Sequence, residues 1–290
     1  MTQPKTKQHY IPRCYLEAFA DPTLKGAPRV WVYQIKTGRI FKTNPTNILI
    51  EKDMYTIPLP SGGRNLIIED TLANIEGRYV DIFRSKIDQN KPLTPEERGL
   101  FAIFVTAMLT RTKSRKDQLL SFIKDVDDRA QDLERAHNVK TKTNFRKQLE
   151  ALTPTIHQLT MASNLAELSD LVYQMKYAIL TPVSDADRFV TSDNPCHLIN
   201  PELIKAYGFG HMNSSPGLGQ KSVELTLTLS PTKALSAGWL LQQEMYLPVD
   251  SKMVEQINWR STRHAQDFLV SSQEEALLQI KNRVSTKPKK

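Results

Sequence analysis

His9, Tyr10 and Arg13 stand around Pro12 in KQHYIPRCYLEAF, residues 7 to 19, directly ahead of a short helical pattern. Histidine titrates near neutrality and arginine offers a planar fork of donors, so the pair within one turn suits proton transfer beside a phosphate. Proline forbids a regular strand and pre-sets a helix start, so the segment should be held in place. A packing reading competes: Tyr10, Ile11, Tyr15 and Phe19 are hydrophobic anchors, and His9 is a hydrogen-bonded side chain among them.

A second group is Ser192-Asp193-Asn194-Pro195 in FVTSDNPCHL, residues 189 to 198. Polar residues where a strand ends are rigidly presented and commonly carry ligands. Asp and Asn before proline also form turns that satisfy their own backbone, which is the structural alternative. On a long helical pattern, Phe104, Met108, Arg111 and Arg115 share one face, which turns from apolar to cationic along its length. Arg111 should therefore lie at the edge of the core, either snorkelling to water or pointing into a cleft. Glu69 and Glu76 border one apolar stripe, and with Asp193 they could form a carboxylate cluster for a divalent cation, since hard metals take oxygen ligands. Cys196-His197 lacks a second ligand pair at zinc spacing, GFG and GLG do not follow a strand, and no P-loop or G-x-S-x-G element occurs.

These residues need a scaffold. PRVWVYQIKTGRIFKT alternates like a β-hairpin, residues 29 to 42 with its turn at Lys36 to Arg39, and a further short strand is expected at 53 to 57. From Ile67 to Ile87 the apolar positions recur at helical spacing. Thr94, Pro95 and Glu97 form a capping box that starts a helix running through the apolar stretch toward Ala136. Two more helices are expected between Thr143 and Met175, with breaks near 153–154 and 163–164. Strands are expected at 175–180, 188–191 and 222–230, SPTKAL as a turn into a short helix, and two closing helices at 250–268 and 272–284, the first capped by Asp250 or Ser251. The expectation is one α+β domain over residues 1–284, with hairpin 29–42, helical block 67–178, strand region 175–249 and C-terminal helices 250–284, followed by a basic tail at 285–290. The hairpin should join or face the later strands in a small, mostly antiparallel sheet.

The composition, 40% hydrophobic and 24% charged over 290 residues, is that of a globular chain able to bury a sizeable core. Its longest apolar run, Gly99 to Leu109, is about half a membrane span, and the start MTQPKTKQ has no apolar signal region, so a cytosolic protein is expected. Two cysteines make no disulfide framework. A net charge of +8 favours a polyanionic partner, nucleic acid or nucleotide, although five of the basic residues lie in the last ten positions.

His9-Tyr10-x-Pro12-x-x-Tyr15-Leu16-x-x-Phe19, Ser192-Asp193-Asn194-Pro195 and the L-x-L-S-P element at Leu227 to Pro231 together resemble the family catalogued as domain of unknown function 4238, over about residues 8 to 270. The resemblance implies a bacterial or phage origin and that both main motifs belong to one site or one structural joint, and it brings no reaction. Cys14 and the Cys196-His197 pair do not match it. Two functions follow from the residues. In the first, a nuclease-like or nucleotide-acting enzyme uses His9 and Asp193 in catalysis and Tyr10, Arg13, Arg111, Ser192 and Asn194 on the substrate. In the second, a noncatalytic nucleic-acid-binding or protein-interaction module uses both motifs structurally.

Overall fold

The computed structural model describes residues 6–59, 61–137, 144–207 and 216–285. The fold is α+β. The chain opens with β1 (Lys7–His9) and the short helix α1 (Arg13–Glu17). The hairpin of β2 (Val30–Gln34) and β3 (Arg39–Thr43) turns at Gly38, whose φ of +68° costs a glycine nothing. β4 (Ile50–Lys52) pairs antiparallel with β1, and β5 (Ile57–Pro58) with β6 (Arg64–Asn65). The strand expected at 53–57 is thus displaced to either side of a turn, because Asp53 adopts φ +54°.

The helical block follows. α2 (Ile67–Ile82) continues through a π turn at Phe83–Ile87, and α3 (Pro95–Thr110) begins with the full capping box, Thr94 accepting from Glu97 N and Glu97 from Thr94 N. The helix expected to reach Ala136 breaks instead at Arg111 and Thr112, where the Thr112 hydroxyl accepts the Arg115 N–H at 3.3 Å and restarts the chain as α4 (Lys113–His137). α5 (Asn144–Leu152) and α6 (Ile156–Gln174) are separated at Thr153 to Thr155 as expected, whereas α6 runs unbroken through Ser163 and Asn164.

The last section holds more strand than its pattern suggests. It comprises β7 (Lys176–Pro182), β8 (Thr191–Ser192), β9 (Cys196–Ile199), α7 (Pro201–Tyr207), β10 (Glu224–Ser230), β11 (Lys233–Gly238) and β12 (Met245–Val249), then α8 (Ser251–His264), β13 (Phe268–Ser271) and α9 (Glu274–Ser285). The helix expected after Ser230-Pro231 is β11, held between β10 and β7, and the closing helices are parted by β13. Asp250 caps α8 by accepting from Met253 N. The Gly-rich loop at 208–215 and the basic tail from 286 lie outside the described residues.

Two larger sheets result. One has the order β12-β7-β11-β10-β9, antiparallel except for the parallel β12–β7 pair. Period-two alternation explains its burial on both faces. Tyr177, Ile179, Leu225, Leu227 and Leu229 join the main core with Phe101, Phe104 and Met108 of α3. Ala178, Leu180 and Ala234 pack instead with Val254 and Ile257 of α8. The other sheet has the order β3-β2-β13-β8, so the hairpin does join the later strands. Val30, Val32 and Val270 face the main core, while Tyr33 and Leu269 face Leu277 of α9. No helix among the described residues is long and apolar enough to cross a membrane.

Candidate functional site

The segment after β1 is anchored from three sides. Tyr10 N donates to Leu49 O at 3.0 Å, and Leu49 holds φ +55°, a left-handed value that strains a leucine. Tyr10, Ile11, Tyr15, Leu16 and Phe19 are all buried. The Tyr15 hydroxyl donates to Thr228 O at 2.5 Å and lies 2.6 Å from Thr191 Oγ1, tying α1 to β8 and β10. The packing role of the aromatic residues is therefore realised in full.

His9 sits at the margin of this packing. Its Nε2 lies 3.2 Å from Pro45 O. A carbonyl can only accept, so in the neutral ring Nε2 carries the proton and Nδ1 the lone pair. Burial lowers the imidazole pKa, against the raising effects of the Pro45 carbonyl and Glu76, so the ring is neutral at pH 7.

His9 lines a cavity of about 370 Å³ together with Lys7, Arg13, Cys14, Glu69, Glu76 and Arg111. Arg111 closes its floor. The guanidinium is 3% exposed and donates to Glu76 Oε1 at 2.7 Å, to His9 O at 2.8 Å and to Tyr55 Oη at 3.3 Å. Tyr55 Oη in turn donates to the Arg111 carbonyl at 3.0 Å. One cation thus joins the N-terminal segment, α2 and the end of α3, and it neither snorkels nor presents an unoccupied fork to a ligand. Arg13 is exposed and pairs with Glu17 at 3.2 Å. Burial pushes the Cys14 thiol up to about 12, which leaves it protonated and a poor nucleophile.

Asp193 belongs to a different place. It is 4% exposed, it does not line the His9 cavity, and its carboxylate accepts three backbone N–H groups: Gln266 at 2.9 Å, Asp267 at 2.6 Å and Phe268 at 3.0 Å. Burial raises its pKa to about 6 despite those donors. Ser192 Oγ accepts from Asn194 N at 3.2 Å, and Asn194 Nδ2 donates to His264 O at 3.2 Å. The Asp193 and Asn194 side chains therefore fasten the end of β8 to the corner between α8 and β13, while Ser192 holds the local turn. His9, Arg13, Arg111, Glu69 and Glu76 share one cavity wall, and Asp193, Ser192 and Asn194 form a separate joint. Tyr10 serves packing, with its ring in the core.

The carboxylate trio of Glu69, Glu76 and Asp193 is not assembled. Glu76 is engaged by Arg111, and among the described residues no group of three or more His, Cys, Asp or Glu is placed to hold a metal ion. Cys14 and Cys196 are free thiols. Sequence reasoning missed Lys7, Tyr55 and the Pro45 carbonyl. Their part in the site is set by tertiary contacts from β1, the turn after β4 and the turn before it, and no local pattern marks them.

No curated protein and no solved structure matches the chain. A family model does, over residues 7–275, a span that begins in β1, takes in both the His9 cavity and the Asp193 joint, and ends in α9. The chain therefore belongs to the family described as protein of unknown function, DUF4238.

Proposed function

We propose that the cavity over His9 takes a phosphate-bearing ligand, a nucleotide or a nucleic-acid end, and that His9 is the proton acceptor in phosphoester chemistry there. The observation that carries this reading is the fixed tautomer of a neutral imidazole inside a polar cavity, with Lys7 and Arg13 in the same wall. A base must be deprotonated at working pH with its lone pair free, and the Pro45 carbonyl achieves the second by engaging Nε2. Lys7 and Arg13 supply the positive potential that draws a phosphate to that wall, and the overall charge of +8 has the same sign. Asp193 has no catalytic part in this reading.

The test is hydrolysis of nucleoside phosphates and of short single-stranded oligonucleotides between pH 5 and 8. His9→Gln should lower the rate by about 100-fold or more with little change in thermal midpoint. The acid limb of the wild-type rate should fall at a pH below the ordinary histidine value, because burial lowers the pKa of His9. A rate unchanged in His9→Gln would overturn the assignment.

The noncatalytic reading is favoured by one observation: the side chains of Ser192, Asp193 and Asn194 each hydrogen-bond to backbone, and both oxygens of the Asp193 carboxylate are taken up. Salt-sensitive oligonucleotide binding without turnover in the wild type would select it.

A further inference from the structure

The helix α4 (Lys113–His137) is 25 residues long and none of them is buried. One side rests on the body of the protein: Leu119 lines a cavity with Met161 and Leu168 of α6, and Leu120, Ile123, Val126 and Ala130 are half-buried. Two large apolar side chains are left outside that contact, Phe122 at 64% and Leu133 at 61% exposed. They stand eleven positions apart, which at 100° per residue puts them about 20° apart around the helix, with Val126 and Arg129 between them on the same strip. Single apolar residues scattered on a surface need no explanation, but two aligned over three turns make a seam. The charges beside the seam are ordered along it. Lys113 to Lys124 holds four basic residues and one acidic, whereas Asp125 to His137 holds five acidic and two basic. Lys116 is paired with Glu51 of β4, which still leaves the first half positive. Asp125 and Arg129, which flank the strip between Phe122 and Leu133, are exposed and make no ion pair among the described residues.

We propose that α4 pairs with the α4 of a second copy of this chain, antiparallel across a twofold axis midway between Asp127 and Asp128. Phe122 of each copy then packs on Leu133 of the other, and Arg129 of each meets Asp125 of the other. The positive first half of one helix lies along the negative second half of its partner. A parallel pair would instead set Asp125 on Asp125 and Arg129 on Arg129, and such like-charge contacts oppose association. The contact is a single helix pair, small beside a standard interface, so the dimer is weak, with a Kd on the order of 10 μM, and α4 stays open in dilute solution. The surface is separate from the His9 cavity and stands whether or not His9 is catalytic.

Sedimentation equilibrium of the whole chain, from about 1 μM to about 300 μM, tests it. The wild type should pass from monomer to dimer and go no further, since a twofold contact closes on itself. Phe122→Glu should abolish the dimer and keep the wild-type circular dichroism and thermal midpoint in dilute solution, because the side chain is exposed in the single chain. Arg129→Glu should weaken association about tenfold, by turning two opposite-charge contacts into like-charge ones. The exchange of Asp125→Arg with Arg129→Asp restores opposite charges in the antiparallel register alone, and it should recover the wild-type Kd to within about threefold. A wild type still monomeric at the highest concentration overturns the proposal. So does a dimer that survives Phe122→Glu, one that Arg129→Glu leaves unchanged, or one that the exchange fails to restore.

Discussion

At the scale of single residues, Asp193 holds one buried corner of the structure with a single carboxylate. Removing it strands three N–H donors from consecutive residues, 266 to 268, in a buried corner. Asp193→Ala should therefore lower unfolding stability by about 3 kcal/mol or more, since each buried donor left without an acceptor costs roughly 1–3 kcal/mol. Asp193→Asn keeps one acceptor oxygen and should cost less. Urea denaturation of both, with His9→Gln as a control that stays close to wild type, measures the difference; equal midpoints for Asp193→Ala and wild type would show that the joint does not depend on the carboxylate. The chemical types at both motifs were legible in the sequence, and so was the competition between turn and site at Asp193. The outcome was not legible, because the donors lie 73 to 75 positions further along the chain. The same holds for His9, whose tautomer is set by a carbonyl 36 positions away.

At the scale of elements, local chemistry was readable wherever a side chain caps its own backbone. Thr94-Pro95-x-Glu97 and Asp250 both start helices as their types require. The errors fall where tertiary pairing overrides propensity. Lys233-Ala-Leu-Ser-Ala-Gly238 has helix-forming residues, yet strands flank it on both sides and it becomes β11. Phe268–Ser271 is too short a run to stand out between two amphipathic patterns. The break at Thr112 divides helices of different standing. α3 buries most of its second half, whereas α4, 25 residues long, has no buried residue at all. Stability should therefore differ sharply across two adjacent residues. Native-state hydrogen exchange followed by mass spectrometry should show α3 amides protected close to the global unfolding limit, and those of 120–137 exchanging far sooner. Equal protection on both sides of Thr112 would contradict this.

At the scale of the whole molecule, distant parts of the chain complete one another. Tyr15 reaches Thr191 and Thr228 across 176 and 213 positions, and β13 lies between β2 and β8 in the four-stranded sheet. That placement has a consequence for the order in which the protein can be made. A ribosome delivers the hairpin of β2 and β3 early, but the strand that pairs with β2 emerges more than two hundred positions later. At about 5–20 residues per second this delay is on the order of tens of seconds. Throughout it, the nascent chain carries an unpaired edge at Val30–Gln34, and over its last part, once Asp193 has been made, an Asp193 without its donors. Folding of this sheet is thus expected to be largely post-translational, with a long interval in which chaperones can engage the open edge. A chain ended at Ala265 holds that interval permanently, and it should be cut rapidly by dilute protease and lack a cooperative thermal transition, while the full chain resists and melts in one step.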